Sequence, residues 1–434
     1  MIPKKINIIT LGCSKNLVDS EYLLKQLEIN GFDVHHDAQG FDFDIVLINT
    51  CGFIDDAKEE SINTILNYVK AKNHKKIKKL YVFGCLAERY KDELTINIPE
   101  VDMYFGVYQE EKILNQLNII NVKLPFSERK LTQSGHFAYL KISEGCNRKC
   151  AFCAIPLIKG KYKSRPVSEI IKEAEILAKN GVKEIILIAQ DLTYYGYDLE
   201  NKSLLTDLVK QLSEIDNIKW IRLHYAYPAK FPKDIILLMK ITPKICRYID
   251  IPIQHISDPI LKSMKRGINK KQTIELLYYI RSEIPDITIR TTVLVGFPGE
   301  TKEDFDELKK FIKQFKFDRL GVFKYSDEEN TAAFEMNDKI TESVKNSRFN
   351  QIMKIQNKIS LNLNLEKIGK VFQVIIDRKE GEFYIGRTEH DSPEVDNEVL
   401  IKDENLIIGD YYMILITDAS DYDLTGKIIN NKII

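Results

Sequence analysis

The sequence predicts an α/β protein in which two segments of alternating strands and helices precede a small all-β segment. Apolar strand patterns alternate with helix patterns from the start of the chain to about residue 326. Short strands separated by turn residues follow from Gly369. With 44% hydrophobic and 29% charged residues, the composition is that of soluble globular domains and excludes disordered, fibrous and integral membrane proteins.

The first segment contains three strand–loop–helix units, and a cysteine follows each strand. The strands INIITLG, DIVLINT and KLYVFG lead to Cys13, Cys51 and Cys85. This alternation predicts a parallel sheet, in which ligands bind beyond the carboxyl ends of the strands. We therefore expect the three cysteines at one edge of the sheet, although a cysteine at a strand end is often a small buried apolar residue.

The second segment opens with the strand FAYLKIS, which leads into the loop EGCNRKCAFCAIP. Five helix–strand pairs follow, so that the segment has about six β/α units. That number is too small for a complete eight-unit barrel and predicts an open, partial one. The cysteine-rich loop follows the carboxyl end of its strand, where such barrels carry out their chemistry.

The loop places Cys146, Cys150 and Cys153 in the spacing C-x-x-x-C-x-x-C. Three thiolates at this spacing can hold three irons of a [4Fe–4S] cubane and leave the fourth iron open for a ligand. A structural zinc site is the alternative, but zinc normally takes four protein ligands. Cys246 and His136 lie elsewhere in the sequence, so no nearby residue is an obvious fourth ligand.

The motif C-x-x-x-C-x-aromatic-C, with Phe152 as the aromatic residue, resembles that of the radical S-adenosylmethionine (SAM) enzymes. The resemblance implies that the open iron binds SAM and that an electron cleaves it to methionine and a 5′-deoxyadenosyl radical. That radical abstracts hydrogen from an unactivated C–H bond, chemistry that a cofactor must supply. Gln190 and Asp191 end a barrel strand and are candidate SAM contacts; simple capping of the loop is the alternative.

The segments LGCSKN, NTCGF and FGCLAE add a second resemblance, to the methylthiotransferases, a radical SAM subfamily with two [4Fe–4S] clusters. It covers nearly the whole chain. It implies an N-terminal methylthiotransferase domain (residues 4–120), a radical SAM core (132–364) and a TRAM-like β domain (366–434). The first cluster would use Cys13, Cys51 and Cys85, and the second would use the three loop cysteines and bind SAM.

Further segments resemble the ribosomal-protein branch of that subfamily, the RimO type. They include NTCGFIDDAKEES, AQDLTYYGYDL, YIDIPIQHISD and SPEVDNEV. The tRNA branch typically has Gln-Met-Asn after its first cysteine, whereas this chain has Ser14, Lys15 and Asn16. The resemblance implies methylthiolation of the β-carbon of an aspartate in small-subunit ribosomal protein twelve, alone or in its subunit. It also implies an electron donor such as flavodoxin or ferredoxin.

The distribution of charge and the lack of targeting signals bear on the partner and the location of the protein. The chain has no net charge, but from Gly369 onward it has 14 acidic and 7 basic residues. This acidity favours a basic protein partner over tRNA, and we expect Glu389, Asp391, Glu394, Asp396 and Glu398 to attract it. No signal peptide and no apolar run of about 20 residues is present, which predicts a cytoplasmic protein without membrane contact. A tRNA adenosine as substrate, and a non-enzymatic iron–sulfur protein, remain as alternatives.

Overall fold

The computed structural model describes residues 4–119, 124–125, 127–133, 135–402 and 405–430. They form two compact units. The first holds the described residues up to Thr132 with Tyr139–Arg148 and Cys153–Ile176, and the second holds Gln133–Ala138, Lys149–Phe152 and the described residues from Leu177 onward. Among these residues, no helix is both long and apolar enough to cross a membrane.

The first unit is built around a parallel sheet with helices between its strands. Its strands and helices are β1 (Lys5–Thr10), α1 (Ser14–Ile29), β2 (Asp33–His36), β3 (Ile45–Thr50), α2 (Asp55–Asn73), β4 (Lys79–Gly84), α3 (Cys85–Arg89), α4 (Lys91–Asn97), β5 (Met103–Tyr104) and α5 (Glu110–Gln116). The chain continues with β6 (Phe137–Lys141), β7 (Ser143–Glu144), α6 (Ile155–Lys159), β8 (Lys163–Ser164) and α7 (Val167–Lys179), of which β6 and α7 cross the division between the units.

The five strands of the first sheet lie in the order β2-β1-β3-β4-β5 and pair in parallel. The predicted parallel sheet is therefore confirmed, and the three cysteine-bearing strands are its consecutive members β1, β3 and β4. The sequence interpretation missed the edge strands β2 and β5. Strand β2 has the sequence DVHH with every residue half-buried, and β5 has two residues, so neither shows an apolar pattern.

The second unit contains the partial barrel predicted from the sequence. Its further elements are β9 (Glu184–Ile188), a 3₁₀ turn (Leu192–Tyr194), α8 (Tyr197–Glu200), α9 (Leu205–Ser213), β10 (Trp220–Leu223), α10 (Asp234–Ile241), β11 (Ile245–Asp250), α11 (Asp258–Ser263), α12 (Lys270–Glu283), β12 (Thr288–Val295), α13 (Lys302–Phe315), β13 (Arg319–Lys324) and α14 (Glu342–Leu365). The sheet has six strands in the order β13-β12-β11-β10-β9-β6, which confirms an open arrangement of about six β/α units.

The C-terminal segment forms a small closed barrel. Its strands are β14 (Val371–Glu380), β15 (Phe383–Thr388), β16 (Val399–Lys402), β17 (Tyr411–Ala419) and β18 (Leu424–Asn430). They close in the order β14-β15-β16-β18-β17, around a core that includes Val374, Ile401 and Ile414. The short strands predicted from Gly369 onward therefore form a closed barrel, and the sequence interpretation missed β18.

A buried network of ion pairs joins this small barrel to the six-stranded sheet within the second unit. Glu184, at the start of β9, forms ion pairs with Arg222 and Arg387 at 2.8 Å each, and all three side chains are fully buried. Arg387 also donates to Asp377, which His136 contacts through Nε2 at 2.7 Å. A buried charge without a partner is costly. Loss of any one of these residues would therefore weaken the contact between the small barrel and the six-stranded sheet.

The acidic loop between β15 and β16 lies against the same sheet. Asp391 pairs with Arg319, and Asp396 pairs with Arg290 and accepts from the Tyr248 hydroxyl at 2.7 Å. The carboxylates of Asp391 and Asp396 have 1% and 0% of their surface exposed.

The prediction that these carboxylates attract a basic partner is therefore wrong for Asp391 and Asp396. Glu389 is half-buried, and its carboxylate accepts from the amide of Arg247 at 3.0 Å. Glu398 pairs with Arg378 at 2.6 Å. The sequence shows the charge of this loop but not its barrel partners, which come from four separate strands.

Candidate metal and cofactor sites

The first three cysteines lie where parallel strands of the first sheet end. Cys13 is the residue just before α1, Cys51 directly follows β3, and Cys85 begins α3 directly after β4. Since β1, β3 and β4 are neighbours, their loops meet at one edge of the sheet. This is the placement predicted from the sequence.

Two glycines allow these loops to approach one another closely. A methyl group at Gly12 would lie 2.7 Å from Cβ of Cys51, and Gly12 has a φ of +92°. A methyl group at Gly52 would lie 2.7 Å from Cα of Leu86, the residue after Cys85. Any side chain at either position would separate the loops, so the sequence LGC…CG is required by the geometry of this edge.

Asn16 connects all three loops. Its Nδ2 donates to the carbonyl oxygens of Leu11 at 2.9 Å and Thr50 at 3.2 Å, and its Oδ1 accepts from the Cys85 thiol at 3.9 Å. The side chain is 1% exposed. The sequence interpretation used Asn16 only to mark a branch of the subfamily and missed this role; its place one helical turn after Cys13 was the available signal.

Burial sets the protonation of two of these thiols, those of Cys51 and Cys85. It raises the pKa of Cys51 to about 11 and that of Cys85 to about 12, and the charge of Cys13 acts in the same direction on both. Cys51 and Cys85 therefore lie within electrostatic range of Cys13 and hold their own protons at neutral pH. A metal cluster would displace those protons on binding, as thiolate-ligated metals do.

This donor set fits an iron–sulfur cubane. Among the described residues, no three His, Cys, Asp or Glu side chains converge closely enough to share a single metal ion. A cubane requires a different arrangement, because each thiolate binds a different iron. Three soft sulfur donors on loops held at fixed spacing meet that requirement.

The second cysteine loop is held by hydrogen bonds on both sides of its motif. In the first unit, the Cys146 amide donates to the carbonyl oxygen of Gly160 at 3.1 Å, and the Arg148 amide donates to the Cys146 sulfur at 3.4 Å. In the second unit, the Ala151 amide donates to the carbonyl oxygen of Met264 at 3.0 Å. These bonds fix the backbone of the loop around its cysteines.

Cys150 has two polar neighbours in the second unit. Arg266 Nη1 donates to its sulfur at 3.3 Å, and the Tyr227 hydroxyl lies 3.6 Å from it. Phe152, the aromatic residue of the motif, packs against a buried apolar cluster that includes Met264 and Phe297. The sequence interpretation missed Arg266 and Tyr227, which are far from the motif in sequence.

A buried group of charges lies beside Cys85 in the first unit. Helix α6 begins two residues after Cys153, and its Ile158 packs against Cys85. Lys159, on the same helix, lies 3.5 Å from Asp19 and 3.9 Å from Glu144, and its side chain is 4% exposed. Its charge counteracts part of the effect of burial on the Cys85 pKa. A fixed cation therefore stands near the first cysteine set.

The two predicted SAM contacts differ in how they are bonded. The Asp191 carboxylate is fully buried and accepts from the amide of Thr193 at 2.9 Å and from its hydroxyl at 2.6 Å, so it caps the turn after β9. The Gln190 carboxamide oxygen is buried, and none of the described residues donates a hydrogen bond to it. An unsatisfied buried acceptor at the end of a barrel strand is available to a ligand.

Family models match three parts of the chain. The radical SAM superfamily matches residues 140–312, an uncharacterized protein family (UPF0004) matches residues 5–106, and the TRAM domain matches residues 368–429. The radical SAM match spans both the Cys146 loop and the strands of the partial barrel. SAM and a [4Fe–4S] cluster are the cofactors of this superfamily.

The chain is also similar over nearly its whole length to curated proteins named ribosomal protein uS12 methylthiotransferase RimO. It is 52% identical to the one from Christiangramia forsetii, over 98% of this chain and 94% of the relative. It is 53% identical to those from Flavobacterium johnsoniae and Phocaeicola vulgatus, again over 98% of this chain and over 98% and 99% of the relatives.

Solved structures share the fold at low identity. The radical SAM methyltransferase TsrM from Kitasatospora setae aligns with a TM-score of 0.54 and 14% identity, over 74% of this chain and 72% of that one. The cobalamin-dependent radical SAM enzyme OxsB aligns with a TM-score of 0.52 and 14% identity, over 82% of this chain and 56% of that one. With its cysteine edge, partial barrel and terminal β barrel, the chain belongs to the radical SAM methylthiotransferase family, in its ribosomal-protein branch.

Proposed function

We propose that this enzyme methylthiolates the β-carbon of an aspartate in ribosomal protein uS12. The assignment of this substrate rests on one observation: the chain is 52–53% identical, over 98% of its length, to relatives named for uS12. The Ser-Lys-Asn sequence after Cys13, which departs from the tRNA branch, supports the same choice. The C-terminal acidity no longer does so, because much of it is paired internally.

We further propose two clusters per chain, one on Cys13, Cys51 and Cys85 and one on Cys146, Cys150 and Cys153. Two observations support this assignment. The three loops that carry the first set lie close together, and hydrogen bonds fix the backbone of the loop that carries the second set. Bound at the second set, the cluster and SAM would supply the radical chemistry of the superfamily. On this proposal Gln190 offers its free carboxamide oxygen to SAM and Asp191 shapes the turn that presents it.

The remaining parts of the proposal are the domains and partners. Residues 4–120 would carry the first cluster, residues 132–364 the SAM-cleaving core, and residues 366–434 the TRAM-like domain. Because SAM cleavage needs an external electron, we propose a flavodoxin or ferredoxin as donor. The substrate would be free uS12 or its small subunit, in the cytoplasm.

Anaerobic reconstitution and product mass spectrometry test this proposal. The whole chain should bind about eight irons, since each three-cysteine set holds one cubane. Replacing Cys146, Cys150 and Cys153 with Ala should abolish formation of 5′-deoxyadenosine. Replacing Cys13, Cys51 and Cys85 with Ala should leave that cleavage but prevent the methylthio mass increase on uS12. Zinc in place of iron would contradict the clusters, and modification of tRNA instead of uS12 would contradict the substrate.

A further inference from the structure

Arg266 is a buried cation with an unusual set of partners. Arg266 is 3% exposed, and its guanidinium lies next to Tyr227 and Cys150 in the second unit. Nη2 donates to the carbonyl oxygen of Pro252 at 2.6 Å and Nη1 donates to the Cys150 sulfur at 3.3 Å. Its Nε is buried, and none of the described residues accepts from it.

The other buried arginines of this unit each have a carboxylate. Arg222 pairs with Glu184, Arg319 with Asp391 and Arg387 with Asp377. Among the described residues, no carboxylate lies within ion-pair distance of Arg266. A buried guanidinium without an anion is costly, because it has lost its hydration and gained no opposite charge.

The sulfur of Cys150 is the group that supplies this charge when it is a metal ligand. A thiolate is anionic, and a cubane on three thiolates becomes more negative with each electron that it accepts. Tyr227 does not compete for this role. Its hydroxyl donates to the carbonyl oxygen of Arg266 at 2.6 Å, and its ring lies 4.2 Å from the guanidinium carbon and holds it in place.

We propose that Arg266 is a positioning residue that serves as counter-ion and hydrogen-bond donor to the Cys150 ligand and raises the reduction potential of the cluster there. The inference rests on the proposed assignment of Cys146, Cys150 and Cys153. Hydrogen bonds to ligand sulfurs are among the factors that set the potentials of iron–sulfur clusters. A fixed positive charge at this distance favours the reduced, more negative form.

The experiment is a redox titration followed by electron paramagnetic resonance on the full chain. It is carried out in a background with Cys13, Cys51 and Cys85 replaced by Ala, so that one cluster gives the signal. We expect Arg266→Gln to lower the potential by about 59 mV or more, which is a tenfold change in the one-electron equilibrium. Arg266→Lys should give a smaller shift, because one ammonium cannot serve both the sulfur and Pro252.

Arg281→Gln is the matched control. Arg281 also lies over an aromatic ring, with its guanidinium carbon 4.1 Å from the Phe315 ring centre, and donates to the carbonyl oxygens of Phe315 and Lys316. It contacts no cysteine among the described residues. Its replacement should leave the potential unchanged, whereas a general loss of packing would shift both variants.

The outcomes separate the two proposals. If the background protein with Arg266 intact carries no reducible cluster, the assignment of the three cysteines fails. If that cluster forms and Arg266→Gln has the same potential, only the role of Arg266 is overturned. If Arg266→Gln binds no iron, Arg266→Lys decides: a lowered potential supports the proposal and an unchanged one overturns it.

Discussion

Asn16 shows how much of the first cysteine site depends on a single side chain. Its three contacts are with Leu11, Thr50 and the Cys85 thiol, and they join the ends of the three cysteine-bearing strands. We predict that Asn16→Ala reduces iron from about eight to about four per chain, because the loops lose their common partner while the second set is unaffected. Iron and sulfide analysis after reconstitution measures this.

Asn30→Ala is the control for this prediction. Asn30 follows the same helix and its Nδ2 donates to one carbonyl oxygen, that of Gln26, at 2.7 Å. This variant should bind the full amount of iron. Full iron in Asn16→Ala would show that the glycine contacts alone hold the loops together.

Lys159 makes a second prediction at the scale of one residue. Its ammonium faces Asp19 and Glu144, which also pair with Lys141, so Lys159→Met would leave the two buried carboxylates with one cation between them. Removing one member of a buried ion pair costs about 3–5 kcal/mol. Chemical denaturation of the iron-free chain should show a loss of that size. Lys402→Met, which breaks an exposed pair with Glu382, should cost less than about 1 kcal/mol.

At the scale of elements, periodicity and connectivity were enough to predict most of the strands from the sequence. The strands before Cys13, Cys51 and Cys85 were clear from their apolar runs, and the rule for parallel sheets then placed the cysteines at one edge. The same reasoning predicted the six-stranded partial barrel. Strands β2 and β5 were not predicted, because they are too short or too polar to show an apolar pattern.

The side-chain contacts of the sites could not be predicted in the same way. Arg266 meets Cys150 across 116 positions of sequence, and Arg319 meets Asp391 across 72. Such contacts depend on which faces of the strands meet after folding, and one sequence without relatives carries no signal for them. The wrong prediction that Asp391 and Asp396 attract a basic partner has this cause. The sequence shows their charges but not the arginines with which they pair.

The docking of the acidic loop predicts a specific dependence of stability on pH. The charge of Arg319 helps to hold the pKa of the buried Asp391 at about 2, below its ordinary value of 3.8, despite the opposing effect of burial. A lowered carboxyl pKa contributes stability above the unfolded value, and that contribution is lost as pH falls through the folded value. The ionised form therefore adds about 2 kcal/mol at neutral pH, most of which disappears between pH 4 and pH 2.

Asp391→Asn tests this dependence. At neutral pH the variant should be less stable by about 3–5 kcal/mol, because Arg319 remains buried without its anion. The difference from the unchanged protein should narrow as the pH falls below 4. Urea denaturation of the iron-free chain over a pH series measures it, with the exposed Glu382→Gln as control. A difference that stays constant down to pH 2 would contradict the role given to the Asp391 charge.

At the scale of the whole molecule, the terminal β barrel is part of the structure of the catalytic unit. Trp220 of the sheet packs edge-to-face against Tyr411 of the small barrel, with ring centres 4.9 Å apart. Glu184 and Arg319 of the sheet also form ion pairs with Arg387 and Asp391 of the C-terminal segment. The small barrel and the six-stranded sheet should therefore unfold together. We expect the acidic residues of the small barrel to contribute mainly to stability and less to the choice of substrate.

Two substitutions in the same loop separate these effects. Asp396→Lys would place a new cation against Arg290 in a position where the native carboxylate is fully buried. We expect a loss of at least about 3–5 kcal/mol and release of the C-terminal segment by limited proteolysis. Glu394→Lys changes the charge by the same amount at an exposed position, where substitutions usually change the free energy of unfolding by no more than about 0.5 kcal/mol.

Methylthiolation of uS12 by these two variants should follow their stability. It should fall in Asp396→Lys and persist in Glu394→Lys. If instead Glu394→Lys abolished uS12 binding at low salt and recovered it at high salt, the exposed charge would select the substrate after all.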